Sequence, residues 1–528
     1  MRPSIALLFP SLIGCALLAG CGSRPTAWTT NLAVSGPYKV GDRVMWTDGT
    51  RGRAFVLDPT ANEPAVATVP VGRNILSATP TPARTSLLVL AAGREATQKG
   101  QDPEPPALTV VKPGSGPGDK PTVAQRYELP VAFTRVAITP DEKYAIAYYG
   151  AGATTDALLR NPNELAIVAL AQPASATNPV FRTIRSLGSA PLAIAFSPPM
   201  TIGATAPRTL AVVLSQDYIT FLDLDHLEHP EITVPLVAEG ALTHVTPKQV
   251  VFSPDSASVL LRADGASDVF SIALDARPGA APAENDYRPR INQPSAGKVP
   301  LDMLLYKDGG RALILTANTS ADLALIDAAT SEFSIINVGA PVDAILPVPA
   351  NDPKTAIVFS RSSPQTFVHF VDLVDLAKNG VQNLTRRTLA RAVHDLVPMP
   401  GGAQVMVIHD DARTVVSILD LGPRRVDTPI EGRVALESFD FAGDRWLVGV
   451  SSALPRLGLV DLITFGTSDL RLDANPKRVL AVGTRLVIDH GTPEGMVTVV
   501  PDPTAKREES RVLWGFFLAG FLDEHLKD

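Results

Sequence analysis

Cysteine is almost missing from this chain. Cys15 and Cys21 are the only two in 528 residues, so the body of the protein has no disulfide framework, no thiolate metal site and no cysteine nucleophile. Charge is sparse as well. Charged residues make up 19%, and 47 Lys and Arg against 54 Asp and Glu leave a net charge of -7. No basic stripe exists to meet a phosphate backbone, which excludes nucleic acid as a partner. The one dense charged patch, residues 506–511, mixes both signs and reads as a solvated turn. Sustained helical periodicity is also absent, which argues against a solenoid of helices. No Gly-x-Ser-x-Gly elbow, His-Glu-x-x-His pair, phosphate-binding Gly-x-x-x-x-Gly-Lys or calcium loop of the hand type occurs.

What is abundant is proline (47) and glycine (38), the composition of many short strands joined by tight turns. The N-terminus stands apart from this. Met1 and Arg2 precede an apolar run, Ile5 to Leu18, that ends in Leu18-Ala19-Gly20-Cys21. A charge followed by a short apolar core is a secretion signal, and the run falls short of the roughly 20 residues needed to cross a bilayer. The four terminal residues resemble the bacterial lipobox. The resemblance implies a signal peptide over 1–20 and lipidation (diacylglyceryl and palmitate-type chains) of Cys21. Several acyl chains on one residue anchor a protein stably. The expected location is therefore the cell envelope, lipid-anchored, with Gly22 after the cysteine pointing to the outer membrane, periplasmic or surface-facing.

Beyond a tether over 21–38 the chain repeats. The clearest unit runs from Lys298 to Gly339: an apolar stretch, the turn Asp308-Gly309-Gly310, a strand, the turn Asn318-Thr319-Ser320, a strand, a turn and a last strand. Such a four-stranded meander is one propeller blade. RVAITPD at Arg135–Asp141, PLAIAFSP at Pro191–Pro198 and QVVFSPD at Gln249–Asp255 open further units. Ten units can be marked, beginning near 39, 73, 131, 189, 241, 298, 340, 391, 433 and 476. The expected fold is all-β: a β-propeller of four-stranded antiparallel blades over 39–522, one ring of 7–10 blades, the alternative being two tandem propellers. The ring is expected to close by pairing the two chain ends, and 523–528 to form a polar tail. Residues 101–121 and 277–296 read as Pro/Gly-rich insertions between strands. The stretch from Leu315 to Leu346 resembles the YVTN-type propeller repeat, a WD-like repeat family that includes surface-layer proteins, lactonase-like enzymes and binding proteins. That resemblance implies fold more than function.

Strand alternation sends the connections between second and third strands, and between consecutive blades, to one face of a propeller. His244, His394, His409 and His490 fall there, with Asp395, Asp410, Asp411 and Asp489 beside them. Imidazole with carboxylate can hold a divalent metal or act as a base, so these four are the metal candidates; in solvated loops such residues are also simply at home. The aspartates around 223–225 and 372–375 read as turn caps. The apolar C-terminal stretch, Arg511 to Leu522, reads as a last strand and packed tail; the competing reading makes Trp514, Phe516, Phe517 and Phe521 a docking surface. The expected function is a binding or scaffold propeller with an envelope protein partner, no catalytic residues and no required cofactor. The alternative is a lactonase-like or other metal-assisted hydrolase at the channel mouth.

Overall fold

The computed structural model describes residues 31–521, apart from 96–102, 115, 117, 151–160, 185–189, 204, 239–241, 254–256, 295–297, 307–309, 317–321, 329, 349–353, 374–383, 427 and 504–513. The lipobox with Cys21, the charged patch 506–511 and the tail 523–528 lie outside the described residues. Among the described residues no helix is long and apolar enough to cross a membrane.

Ten four-stranded antiparallel sheets, each built from four consecutive strands, form one ring. Blades 1 to 10 span residues 34–70, 75–128, 135–183, 193–235, 246–292, 300–337, 344–388, 393–431, 438–471 and 478–517. All ten repeat units marked in the sequence correspond to blades. The upper face carries the turns between second and third strands and the crossings between blades; the lower face carries the remaining turns.

Middle strands such as Leu87–Ala91 and Arg53–Asp58 are buried throughout, because a neighbouring blade covers each of their faces. That is why they read as unbroken apolar runs rather than alternating ones. Ten apolar clusters fill the ten gaps between blades, one per gap. The core is thus a circle of wedges. Fully burying a side chain of the Val, Leu or Phe kind contributes about 1.5–3 kcal/mol, and each wedge holds several. Most fourth strands face outward and guard their free edges with proline or charge, as in Tyr287–Asn292 (YRPRIN) and Leu384–Thr388 (LTRRT); Phe333–Asn337 (FSIIN) and Trp514–Phe517 (WGFF) are the exceptions.

The Thr-Pro motifs close hairpins on the lower face. Thr139 pairs with Tyr144 through its backbone, its hydroxyl accepts from Tyr144 N–H at 3.0 Å, and Glu142 takes φ +58° to complete the turn. Thr81 and Arg84 repeat the arrangement in blade 2, with Arg84 at φ +56°.

Two expectations change in detail and a third, the C-terminal strand with its packed tail, holds. The segments 101–121 and 277–296 each contain a strand, Ala107–Lys112 and Tyr287–Asn292; flanking prolines disguise the first, and the second is an edge strand, where the N–H that Pro289 lacks is not needed for a ladder. The chain ends meet without sharing a blade. Val44, Trp46, Phe55 and Leu57 of blade 1 pack on Val482, Val487, Val497 and Val499 of blade 10 and on Leu518. Lys39 Nζ donates to Ala481 O at 2.6 Å, and Leu32 N–H to Pro493 O at 2.8 Å. Finally, Trp514–Phe517 is the outer strand of blade 10, followed by a 3-10 turn, Leu518–Phe521. Trp514 and Phe516 are half-buried against the closing wedge, so they belong to the ring rather than to a free surface.

Candidate functional site

The four candidate histidines lie on the upper face, but in three separate places. His409 ends the second strand of blade 8 with no exposed surface. Its Nδ1 is 3.2 Å from Ala392 O and its Nε2 2.8 Å from Ser417 Oγ. A carbonyl only accepts, so Nδ1 carries the proton and Nε2 accepts from the serine hydroxyl. His490 in blade 10 repeats this: Nδ1 to Asn475 O at 3.2 Å, Nε2 to Thr498 Oγ1 at 2.9 Å. Each imidazole latches the crossing that enters its blade to the turn and third strand behind it. Burial, working against the pull of those carbonyls, pushes both imidazoles below their ordinary range.

His394 sits beside this latch, in the bulge of the inner strand whose Val393 pairs with His409. Its Nδ1 is 3.5 Å from Asp410 Oδ1. His244 lies at the junction of blades 4 and 5, exposed, its Nδ1 2.6 Å from Asp217 Oδ2. The carboxylates are engaged too: Asp395 accepts from Arg361 Nη2 at 2.8 Å, and Asp411 from Arg391 Nη1 at 3.0 Å. Asp489 is buried, and that burial pushes its carboxyl up. His394 and His409 are therefore neighbours, whereas His244 and His490 belong to other blades with partners of their own.

The lower face holds two features that the sequence reading missed. One is a cleft of about 590 Å³ between blades 1 and 2, lined by Arg84, Lys112 and Lys120 with Asp42 and Asp119. Arg43, also in its wall, is held by Asp58 at 2.9 Å and by Gly116 O at 2.9 Å. The other is a charged lock between blades 4 and 5. Arg208 donates to Asp223 at 2.9 Å and in a fork to Asp286 at 2.7 and 2.8 Å. The side chains of Arg208 and Asp223 are 4% and 0% exposed. Although burial acts to raise it, the Asp286 carboxyl is held below its ordinary range by Arg208. Asp223 also caps the turn after it, its Oδ1 accepting from the N–H of Asp225 and His226 at 3.1 and 3.2 Å, as expected of turn aspartates. That turn carries His226, Glu228 and His229, the one group of metal-ligating side chains that converges among the described residues.

The sequence carried signals for the histidine latch and for the histidine turn. A histidine followed eight positions later by Ser or Thr occurs at His409/Ser417 and at His490/Thr498, and His-Leu-Glu-His stands at 226–229.

The blades define a single-ring β-propeller. No protein-family model and no curated protein sequence matches the chain. Among solved structures it is similar to the dihydro-heme d1 dehydrogenase NirN in complex with DHE, at 9% identity over 87% of this chain and 82% of that one, TM-score 0.40. A functionally unknown protein from Desulfotomaculum acetoxidans DSM 771 matches at 10% identity over 72% of this chain and 93% of that one, TM-score 0.32. Hydrazine synthase of Kuenenia stuttgartiensis matches at 12% identity over 67% and 97%, TM-score 0.32. At such identities and scores no chemistry carries over.

Proposed function

We propose that this protein is a lipid-anchored propeller of the bacterial envelope that works as a binding scaffold, its upper face toward the membrane and its lower face toward an envelope protein partner. The observation that carries this orientation is the point of entry: the chain reaches blade 1 on the upper face, where Leu32 is bonded to Pro493. With Cys21 acylated, only residues 22–33 separate lipid from ring, a reach of at most about 40 Å. The lower face, with its cleft and the lock of blades 4 and 5, then faces away from the bilayer. A scaffold needs no convergent catalytic set. The alternative, a metal-assisted hydrolase at the channel mouth, needs donors free to meet at the axis, and His409 and His490 already use both ring nitrogens.

Cys21→Ser tests the anchor in native cells. The substituted protein is expected in the soluble envelope fraction with its ring still folded. A protein that remains in the membrane fraction overturns the lipid anchor. Affinity purification of the wild type from solubilised envelopes, followed by mass spectrometry, is expected to bring a stoichiometric protein partner; reversing the cleft charges with Arg84→Glu and Lys120→Glu should weaken that capture.

A further inference from the structure

We propose that the lower-face turn between the third and fourth strands of blade 4 binds a divalent transition-metal ion through His226, Glu228 and His229.

The turn is built to bring these side chains together. Asp223 fixes its start by accepting two backbone N–H groups. His229 N–H then closes onto His226 O at 3.0 Å, which sets the first and last residues of the turn on one side. Their imidazole rings stack, with centroids 4.9 Å apart and planes within 13°. His226, Glu228 and His229 each offer a ligand atom, all within 4.8 Å of one another. His226 Nδ1 and Glu228 Oε1 are already 3.2 Å apart, close to the edge of roughly 3.3 Å implied by zinc bonds of about 2.0–2.1 Å.

A second observation is independent of that clustering. The His229 side chain is only 8% exposed, and its Nε2 lies 3.1 Å from Pro282 O in the neighbouring blade. The carbonyl can only accept, so Nε2 carries the proton and Nδ1 keeps its lone pair. That nitrogen is buried and makes no hydrogen bond. The nearest carboxylate oxygen, Asp223 Oδ2, is 3.9 Å away and already accepts from Arg208 at 2.9 Å. A ring with one nitrogen bound to a backbone carbonyl and the other bare is the arrangement that metal-ligating histidines show, the carbonyl fixing both tautomer and orientation.

The surroundings are rigid on one side and yielding on the other. Behind His229 stand the Arg208 fork and the bond from Asn285 Nδ2 to Pro230 O at 2.7 Å. His226 and Glu228, 47% and 60% exposed, can swing the short remaining distance onto an ion. Two imidazoles and one carboxylate favour zinc and its first-row neighbours over magnesium or calcium. Three protein donors leave the outer coordination positions to solvent.

The test is calorimetric titration of chelator-stripped full-length protein with zinc chloride, beside the double variant His226→Asn/Glu228→Gln, whose exposed side chains can be changed without disturbing the ring. The wild type is expected to bind one more equivalent than the double variant, to gain thermal stability on zinc addition where the variant does not, and to bind unchanged in excess magnesium. His229→Gln is expected to weaken binding at least tenfold. Equal stoichiometry and affinity in wild type and double variant overturn the proposal, as does displacement of the zinc by magnesium.

Discussion

His409 on the upper face and His229 on the lower are both buried imidazoles with one nitrogen on a backbone carbonyl. They part at the other nitrogen. His409 meets the hydroxyl of Ser417, projected from the adjacent strand; His229 sits on a turn that has left its sheet, and no hydroxyl reaches it. One hydrogen bond separates an imidazole that completes the fold from one with donor capacity to spare. Residue type and face were therefore poor guides to chemistry here, and the fate of the second nitrogen is a better one.

The largest effect expected from breaking this comparison lies beneath the lower-face turn. Arg208→Ala leaves Asp223, with no exposed side-chain surface, as an uncompensated buried charge. Breaking such a pair costs about 3–5 kcal/mol, and the urea midpoint should fall accordingly. It should also loosen the turn, weakening zinc binding even though Arg208 touches no proposed ligand. A loss below about 1 kcal/mol would mean that the lock does not hold blades 4 and 5 together. Next comes the latch. His409→Ala opens a cavity and strands both Ala392 O and Ser417 Oγ, at an expected cost of about 2–4 kcal/mol. Without metal, His226→Ala changes an exposed side chain and should stay within about 0.5 kcal/mol. Equal losses at His409 and His226 would erase the distinction between the two faces.

Most of the fold was legible because blade grammar is local. Apolar runs separated by tight turns repeat from unit to unit, with Thr-Pro or Ser-Pro after the first strand at Thr81, Thr139, Ser197 and Ser253, and all ten units emerged from that pattern. Closure was less legible: whether Val34–Val40 joins blade 1 or completes blade 10 depends on pairing between residues more than 400 positions apart, which no local pattern encodes. The sites were least legible. Strand alternation put His244, His394, His409 and His490 on one face correctly, yet it said nothing of whether Ser417 or Asp217 would engage them. His226 and His229 were hidden in a segment that Asp223 and Asp225 already account for as a capped turn. Pro282, which fixes the His229 tautomer, lies 53 positions further on.

The effect most specific to the latch is its dependence on pH. An unfolded imidazole titrates near 6.5. Burial holds His409 and His490 below that value in the folded ring, and His369 likewise, with Arg386 adding to the depression there. Below pH 6.5 the unfolded chain therefore binds protons that the folded chain refuses, so stability is fully present above 6.5 and drains away as the pH falls toward the folded values. The slope is at most about 1.4 kcal/mol per pH unit for each histidine. Asp489 acts with the opposite sign, since burial raises its carboxyl above 3.8 and acid then favours the fold. Thermal midpoints should be level from pH 8 to 6.5 and decline below it. In the double variant His409→Asn/His490→Asn the plateau should be lower and the decline shallower, with His369 supplying what remains. A double variant that keeps the full wild-type slope would place the titrating groups elsewhere, and the two upper-face histidines would have to be released from their role as neutral latches.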